Sequence, residues 1–287
     1  MRGLATIVRS DSFRYATYSL RRSPLAMVGI GMILVVVLVA AFAPAVAPHP
    51  EQVYKVNLKQ KLLPPSAEHW FGTDDMGRDV ASRMVYGARI SLKIACVVVL
   101  LAATIGSLLG LISAYMGGWL GGSIMRVTDA FLAFPPLVLA LSIQAALGPS
   151  VTNTMLALAL VWWTWYARLV RGQALAIKEE LFIESARMLG ASRVRIMFRH
   201  ILPNCTGPII VQATLQMGYA VITAAGLGFL GIGAQEPAPE WGLMVATGRA
   251  FIPKWWWMST FPGFAIFWFV LGFCLLGDAI RDIYERS

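Results

Sequence analysis

The sequence predicts an all-α integral membrane protein of about six transmembrane helices. Three observations carry that expectation. Of 287 residues, 57% are hydrophobic and only 14% charged, whereas a soluble domain carries about a quarter charged residues. Crossing a hydrocarbon core of about 30 Å takes about 20 apolar residues in helical rise, and six segments meet or approach that length. The basic residues, which leave a net charge of +9, lie mostly between the apolar runs. There they orient a chain in a bilayer rather than bind nucleic acid.

The first span runs from about Pro24 to Val46. A basic tail, an apolar stretch and the small triplet Ala45-Val46-Ala47 also outline a signal peptide. The stretch is longer than the usual apolar region of about 7–15 residues and more spans follow, so it is read as a retained helix. The second span covers about Ile90 to Ala114, the third Val127 to Leu147 and the fourth Thr152 to Val170. The fifth covers Gly207 to Ile232 and the sixth Thr260 to Ile280. Gly106 and Gly110 in the second span suit close helix packing, against a neighbouring span or against a second chain.

Topology follows from lysine and arginine placement. Arg2, Arg9, Arg14, Arg21 and Arg22 against the single acid Asp11 put the N-terminal tail, 1–23, in the cytoplasm. Six crossings return the C-terminal tail, 281–287, to the same side. They also make the segment 171–206 cytoplasmic, in agreement with its many arginines. The loop 48–89 then lies outside. It holds six basic and five acidic residues, and so balanced a loop carries little orienting weight. A second external loop, 233–259, contains Pro237, Pro239, Trp241 and the run Trp255-Trp256-Trp257. That run is read first as an interfacial anchor, since aromatic rings favour headgroup depth, and second as a contact for solute.

No local pattern supplies chemistry. There is no G-x-x-x-x-G-K-[ST] phosphate loop, no H-E-x-x-H and no G-x-S-x-G. Cys96, Cys205 and Cys274 show no pairing or metal spacing. His49, His69 and His200 are too few and too scattered for a metal cage. An ion-coupled carrier often buries ionisable groups at mid-membrane. The central thirds of these spans hold Gln144, Gln212 and Gln216 instead, while Lys93, Asp129 and Asp278 sit near span ends. Energy for any uphill transport is therefore expected from a partner.

The segment 174–204 is too polar to span a membrane, yet it is patterned. Leu181, Phe182, Ala186 and Leu189 recur at helical spacing. Gly190 is placed to end that helix through a left-handed backbone. A second short helix, about 192–200, is expected to close at Leu202-Pro203, because proline disfavours helix in the residue before it. Two amphipathic helices joined by a turn fit either a partner surface or a headgroup layer.

Here the residues carry a resemblance. Glu184-Ser185-Ala186, Gly190, then Ile201, Leu202 and Pro203 resemble the EAA loop of bacterial ABC importer permeases, with Ser185 in place of the middle alanine and I-L-P in place of I-x-L-P. HWFGTDDMGRDVASR, from His69 to Arg83, resembles the H-x-x-G-T-D-x-x-G-R-D-x-x-S-R segment of C-type permease subunits of dipeptide, oligopeptide and nickel importers. Gly226 to Gly242, Trp256 to Gly263 and Leu275 to Asp282 are similar to the same subfamily, in the same order.

The resemblance implies a six-helix type I ABC importer transmembrane domain. Its parts are a first helix at 24–47 and a five-helix core at 90–280. The implied setting is a bacterial inner membrane, with a second homologous B-type permease, two ATPase subunits and an external solute-binding protein as partners. ATP and magnesium would sit on the ATPases and no cofactor on this chain. Glu184 would contact or cap the docked ATPase, and Gly190 would form the turn. Ala186 would permit close approach, Leu189 would add apolar contact, and Arg187 would pair with an acid. In the external loop, Gly72-Thr73-Asp74 and Gly77-Arg78-Asp79 look like turns with capping acids. Arg78 and Asp79 are read there as an ion pair, or as part of a surface for the binding protein or solute. Peptides are the expected cargo, with nickel chelates and other small solutes as alternatives. An ion-coupled carrier and a membrane scaffold remain as rival functions.

Overall fold

A computed structural model describes residues 23–285. The basic N-terminal tail, Arg286 and Ser287 lie outside the described residues. Within them the chain is helical, and the only bridge of β type joins Thr73 to Asp79.

Helix α1, Pro24–Ala41, is N-capped by the Ser23 hydroxyl and begins with proline at its first position, where the missing N–H costs nothing. A short helical turn, Ala43–Val46, follows. The chain then crosses a long irregular loop to α2, Val80–Met116. Helix α3, Gly118–Leu132, and α4, Pro136–Leu147, are separated by a 92° bend. Helix α5 spans Val151–Lys178. Short helices α6, Leu181–Met188, and α7, Arg193–Ile196, lead through a π-turn and a 3-10 turn into α8, Thr206–Phe229. Helix α9, Trp241–Gly248, folds back before α10, Trp257–Glu285.

Among the described residues, four helical stretches are long and apolar enough to cross a membrane. They are Pro24–Ala41, Val80–Met116, Arg193–Phe229 and Trp257–Tyr284, and the bent pair α3–α4 makes a fifth. Helix α5 is less apolar, but at 28 residues it reaches about 42 Å. One face of it, with Leu158, Trp162, Tyr166 and Val170, is buried.

The second span is longer than hydropathy suggests. It starts at Val80, about three turns before Ile90, because the Asp79 carboxylate accepts from the Ser82 N–H and caps it there. The third span is not one rod. Phe134-Pro135-Pro136 breaks it, since a residue before proline avoids the helical region. The fourth runs on to Lys178, so the first part of the expected 171–206 loop is helix.

Helix α10 packs between α1 and α8, and α8 packs in turn on α2. The most extensive pairing is α2 with α5. Gly106 and Gly110 face α5 so closely that a Cβ on either would collide with the carbonyls of Trp163 and Ala167. The glycines therefore serve an intramolecular contact. In lipid, where helices gain little from burying apolar faces, such backbone approach is a main source of association. Gly106→Leu and Gly110→Leu are each expected to cost at least 1–3 kcal/mol of packing, the usual range of overpacked sites being about that. Exposed Gly31, with nothing near its Cβ position, should tolerate alanine. Melting of the detergent-purified chain reads the difference, and a Gly106→Leu protein that melts with the wild type would refute it.

Candidate functional site

Two regions at opposite ends of α2 concentrate the non-lipid structure. At its C-terminal end, Leu111 and Ala114 join Val170 and Ala174 of α5 in one buried cluster with Ile183, Ile196, Met197, Ile201 and Cys205. That cluster anchors the α6–α7 hairpin. Ile183 and Ile201 are fully buried. Leu181, Met188, Leu189 and Val194 are turned outward, Met188 at 85% and Leu189 at 83% exposure.

The turn between the helices is tightly specified. Gly190 has φ +77°. Its N–H donates to the Arg187 carbonyl, and the Ala191 N–H donates to the Ala186 carbonyl. This is the double hydrogen bond of a Schellman C-cap, which needs a left-handed residue at Gly190. Ser192 then caps α7 by accepting from the Arg195 N–H.

The structure brings Glu184, Ser185, Arg187, Leu189 and Gly190 to one exposed surface. Two sequence expectations change. Ala186 points inward, at 9% exposure, so it fits the hairpin against its own chain. Leu202-Pro203 does not end the second helix. The π-turn Met197–Ile201 absorbs the register change, Leu202–Cys205 forms a 3-10 turn, and the chain continues into α8. Proline is tolerated there because it occupies the first turn of the next element.

At the N-terminal end of α2, the loop folds over a buried charge network. Asp74, 6% exposed, accepts from the N–H groups of Met76 and Arg78, and its other oxygen lies 2.6 Å from Arg78 Nε. Arg78 Nη1 reaches Glu236 Oε2 at 2.5 Å. Arg83, 1% exposed, lies 3.6 Å from Asp74 Oδ2 and 3.3 Å from Glu236 Oε2, and donates to the Val53 carbonyl. Burial works against the Arg78 charge, yet the Glu236 hydrogen bond and the Asp74 and Glu236 charges outweigh it, so its pKa lies above the ordinary value. Asp75 has its carboxyl pushed up, first by burial and then by Asp74, and its Oδ1 has no hydrogen-bond partner.

The expected Arg78–Asp79 pair is not formed. Asp79 faces the other way: Oδ1 caps α2 through Ser82, and Oδ2 lies 2.9 Å from His69 Nδ1. Gly72 and Gly77 adopt φ +71° and +73°. At Gly72 a Cβ would clash with the Trp257 indole, whose Nε1 donates to the Thr73 carbonyl. Of the tryptophan run, Trp257 is thus an internal tether and Trp256 is exposed. The histidines are not all isolated either, since the rings of His49 and His69 stand 5.1 Å apart. Sequence reasoning missed Arg83 and Glu236. Arg83 carried a signal, lying one turn after the cap in the same motif. Glu236 lies inside the similar stretch Gly226 to Gly242, but nothing there ties it to Arg78, 158 residues away.

Comparison with known proteins matches residues 106–287 to the family described as binding-protein-dependent transport system inner membrane component. Residues 12–65 match the N-terminal transmembrane domain of oligopeptide transport permease C. A dipeptide transport system permease protein of Alkalihalophilus pseudofirmus is 47% identical, over 95% of this chain and 89% of that protein. A probable D,D-dipeptide transport system permease protein of Escherichia coli is 46% identical, over 93% and 89%. A glutathione transport system permease protein of Escherichia coli is 44% identical, over 92% and 87%.

Removing one partner from a buried ion pair costs about 3–5 kcal/mol, because the remaining charge is stranded. Asp74→Ala should therefore lower the melting temperature far more than Glu236→Ala, whose side chain is 40% exposed; equal losses would mean the network is not the brace. Asp75→Asn should stabilise. A carboxyl raised on folding destabilises only where it is ionised, so the gain should be present at neutral pH, shrink as pH falls through the raised pKa toward the ordinary aspartate value, and be absent below it. Melting curves across pH measure it.

Proposed function

This chain belongs to the family of binding-protein-dependent transport system inner membrane components, and from that premise we propose that it forms half of an importer's translocation path, moved by ATPases docked on the α6–α7 hairpin. It is a multi-pass membrane protein. The observation that carries the coupling role is the division of the hairpin into two faces. Ile183, Ile196 and Ile201 root it in the ends of α2 and α5. Leu181, Met188, Leu189 and Val194 stand uncovered beside Glu184, Arg187 and Arg193. An apolar set presented on a rigid base suits a groove in a partner protein, with a charged rim giving register.

In this reading the hairpin end is cytoplasmic, and so are both termini. A second, homologous permease completes the path, two ATPases bind ATP and magnesium, and an external binding protein delivers the solute. ATP closes the ATPase pair and draws the docked hairpins together. Because each hairpin is packed on α2 and α5, its displacement turns those helices rather than bending a loop. Glu184 contacts or caps the docked groove, Gly190 sets the turn, and Leu189 with Met188 fills the apolar part. The loop 48–79 with Glu236 faces outside. Its Asp74, Arg78 and Asp79 are buried, which supports a bracing role for them rather than contact with the binding protein.

The cargo in this reading is small peptidic solutes, by likeness to the dipeptide and glutathione permeases. The whole transporter, with both permeases, both ATPases and the binding protein, tests the coupling. Glu184→Lys and Gly190→Pro should each cut ATP-driven uptake of labelled dipeptide at least tenfold while the chain still inserts and melts normally. Proline cannot adopt the φ of +77° found at Gly190. Undiminished uptake in both variants would sink the coupling assignment, whereas wild-type transporter hydrolysing ATP without moving any dipeptide would remove only the cargo.

A further inference from the structure

We propose that His49 and His69 form a binding site for one divalent transition-metal ion of the zinc, nickel or cobalt class, on the loop that covers the N-terminal end of α2. His69 is 1% exposed. Its Nδ1 lies 2.9 Å from Asp79 Oδ2, and a carboxylate only accepts, so in the neutral imidazole the proton on Nδ1 leaves Nε2 with its lone pair. That Nε2 is buried and has no hydrogen-bond partner. Buried polar atoms are almost always satisfied, so a lone pair left in this position points to a ligand.

His49 is arranged in the same way. Its Nε2 lies 2.9 Å from the Glu68 carbonyl oxygen, another pure acceptor, which leaves Nδ1 with the lone pair. The Glu51 carboxylate lies 3.6 Å from that Nδ1. Each imidazole thus has one nitrogen held by an oxygen and the other free. This is the outer-shell pattern that orients metal-binding histidines.

The two residues are not independently placed. Asp79 Oδ1 accepts from the Ser82 backbone N–H, and the Ser82 hydroxyl accepts from the His49 backbone N–H at 2.8 Å. One carboxylate therefore orients the His69 ring directly and, through Ser82, holds the backbone at His49. His49, His69 and Asp79 bring one potential ligand atom each within 4.8 Å of one another. Two nitrogens on a tetrahedral ion stand about 3.3 Å apart at ordinary metal–nitrogen distances. The rings of His49 and His69 stand 5.1 Å apart between centroids, and a turn of the His49 side chain, 25% exposed, would bring its nitrogen onto the ion at the cost of its contact with the Glu68 carbonyl. Asp79 stays behind His69, since both its oxygens are engaged. Glu51, 64% exposed, is free to swing in as a third ligand with water as the fourth. Imidazole donors select late transition metals over magnesium or calcium.

A plain structural His69–Asp79 pair explains Nδ1. It explains neither the orphaned Nε2 nor the approach of His49 with its own acceptor. The site would join the segment that follows α1 to the start of α2.

The test uses the full-length chain in its assembled transporter, freed of metal with a chelator. Titration with zinc and with nickel should show one ion bound per chain, with a rise in melting temperature. His49→Ala should bind neither ion at the same concentrations and should melt with the metal-free wild type. Glu51→Gln should weaken binding about tenfold. Cobalt loaded into the wild type should give visible bands of a nitrogen-ligated, four- or five-coordinate ion. Three results each overturn the proposal: no stoichiometric ion on the wild type, undiminished binding by His49→Ala, or a cobalt spectrum of the aqueous ion.

Discussion

The approach of α2 to α5 sets the geometry of everything else. A bilayer offers helices little reward for hiding apolar faces from one another, so association falls to backbone proximity and fitted side chains. Gly106 and Gly110 admit the carbonyls of Trp163 and Ala167, and these two helices pair along most of their length. One turn beyond the contact, Leu111 and Ala114 stand beside Val170 and Ala174 and receive Ile183 and Ile201. The hairpin that carries the proposed coupling surface is therefore seated on a two-helix base rather than hung from a loop. If the glycine contact were spread apart, the floor under the hairpin would open with it.

At the other end of α2 the same rigidity is obtained by different means. The loop there leaves most of its large apolar side chains exposed, among them Tyr54, Leu58 and Trp70, and it is closed by charge. Asp74, Arg78, Arg83 and Glu236 join residues distant in sequence, and Trp257 adds a hydrogen bond from the start of α10. Helix α9 completes the closure: the Trp241 indole donates to the Met84 carbonyl, and Gly87 leaves room for it. Buried charge is a poor source of net stability, but it is intolerant of misplacement. That makes it suited to holding one register between α2, α9 and α10.

Hydropathy and charge made the helical spans and the exposed turn of the hairpin legible, because both depend on local composition. Gly190 was readable for the same reason: a left-handed turn residue needs no tertiary information. Boundaries were less legible. Residues 80–89 read as loop because Ser82, Arg83 and Arg89 interrupt them, yet Asp79 caps them into helix and Arg83 is neutralised by partners that hydropathy does not see. The break at Phe134-Pro135-Pro136 went unread, because the apolar run around it reads as one span. Pairing was the least legible. Asp79 chooses His69 and Arg78 chooses Asp74 and Glu236, because the turn at Gly77 sends adjacent side chains to opposite sides. Ala186 read as permitting close approach; it lies on the buried Ile183–Ala186 side of the helix, which leaves Leu181, Met188 and Leu189 outside.

Helix α2 belongs to both ends. At 37 residues it is about 55 Å long, well beyond a hydrocarbon core of about 30 Å. Its first turn is locked by Asp79, Ser82 and Arg83, and its last three turns are locked by α5 and the hairpin. A rod clamped at one end swings and dissipates a push. A rod clamped at both ends delivers the push to its far support. Under the proposed coupling at the hairpin, the charge network at the opposite end is the counterpart that would let α2 act as a lever, which gives a physical reason for so costly a cluster to sit there.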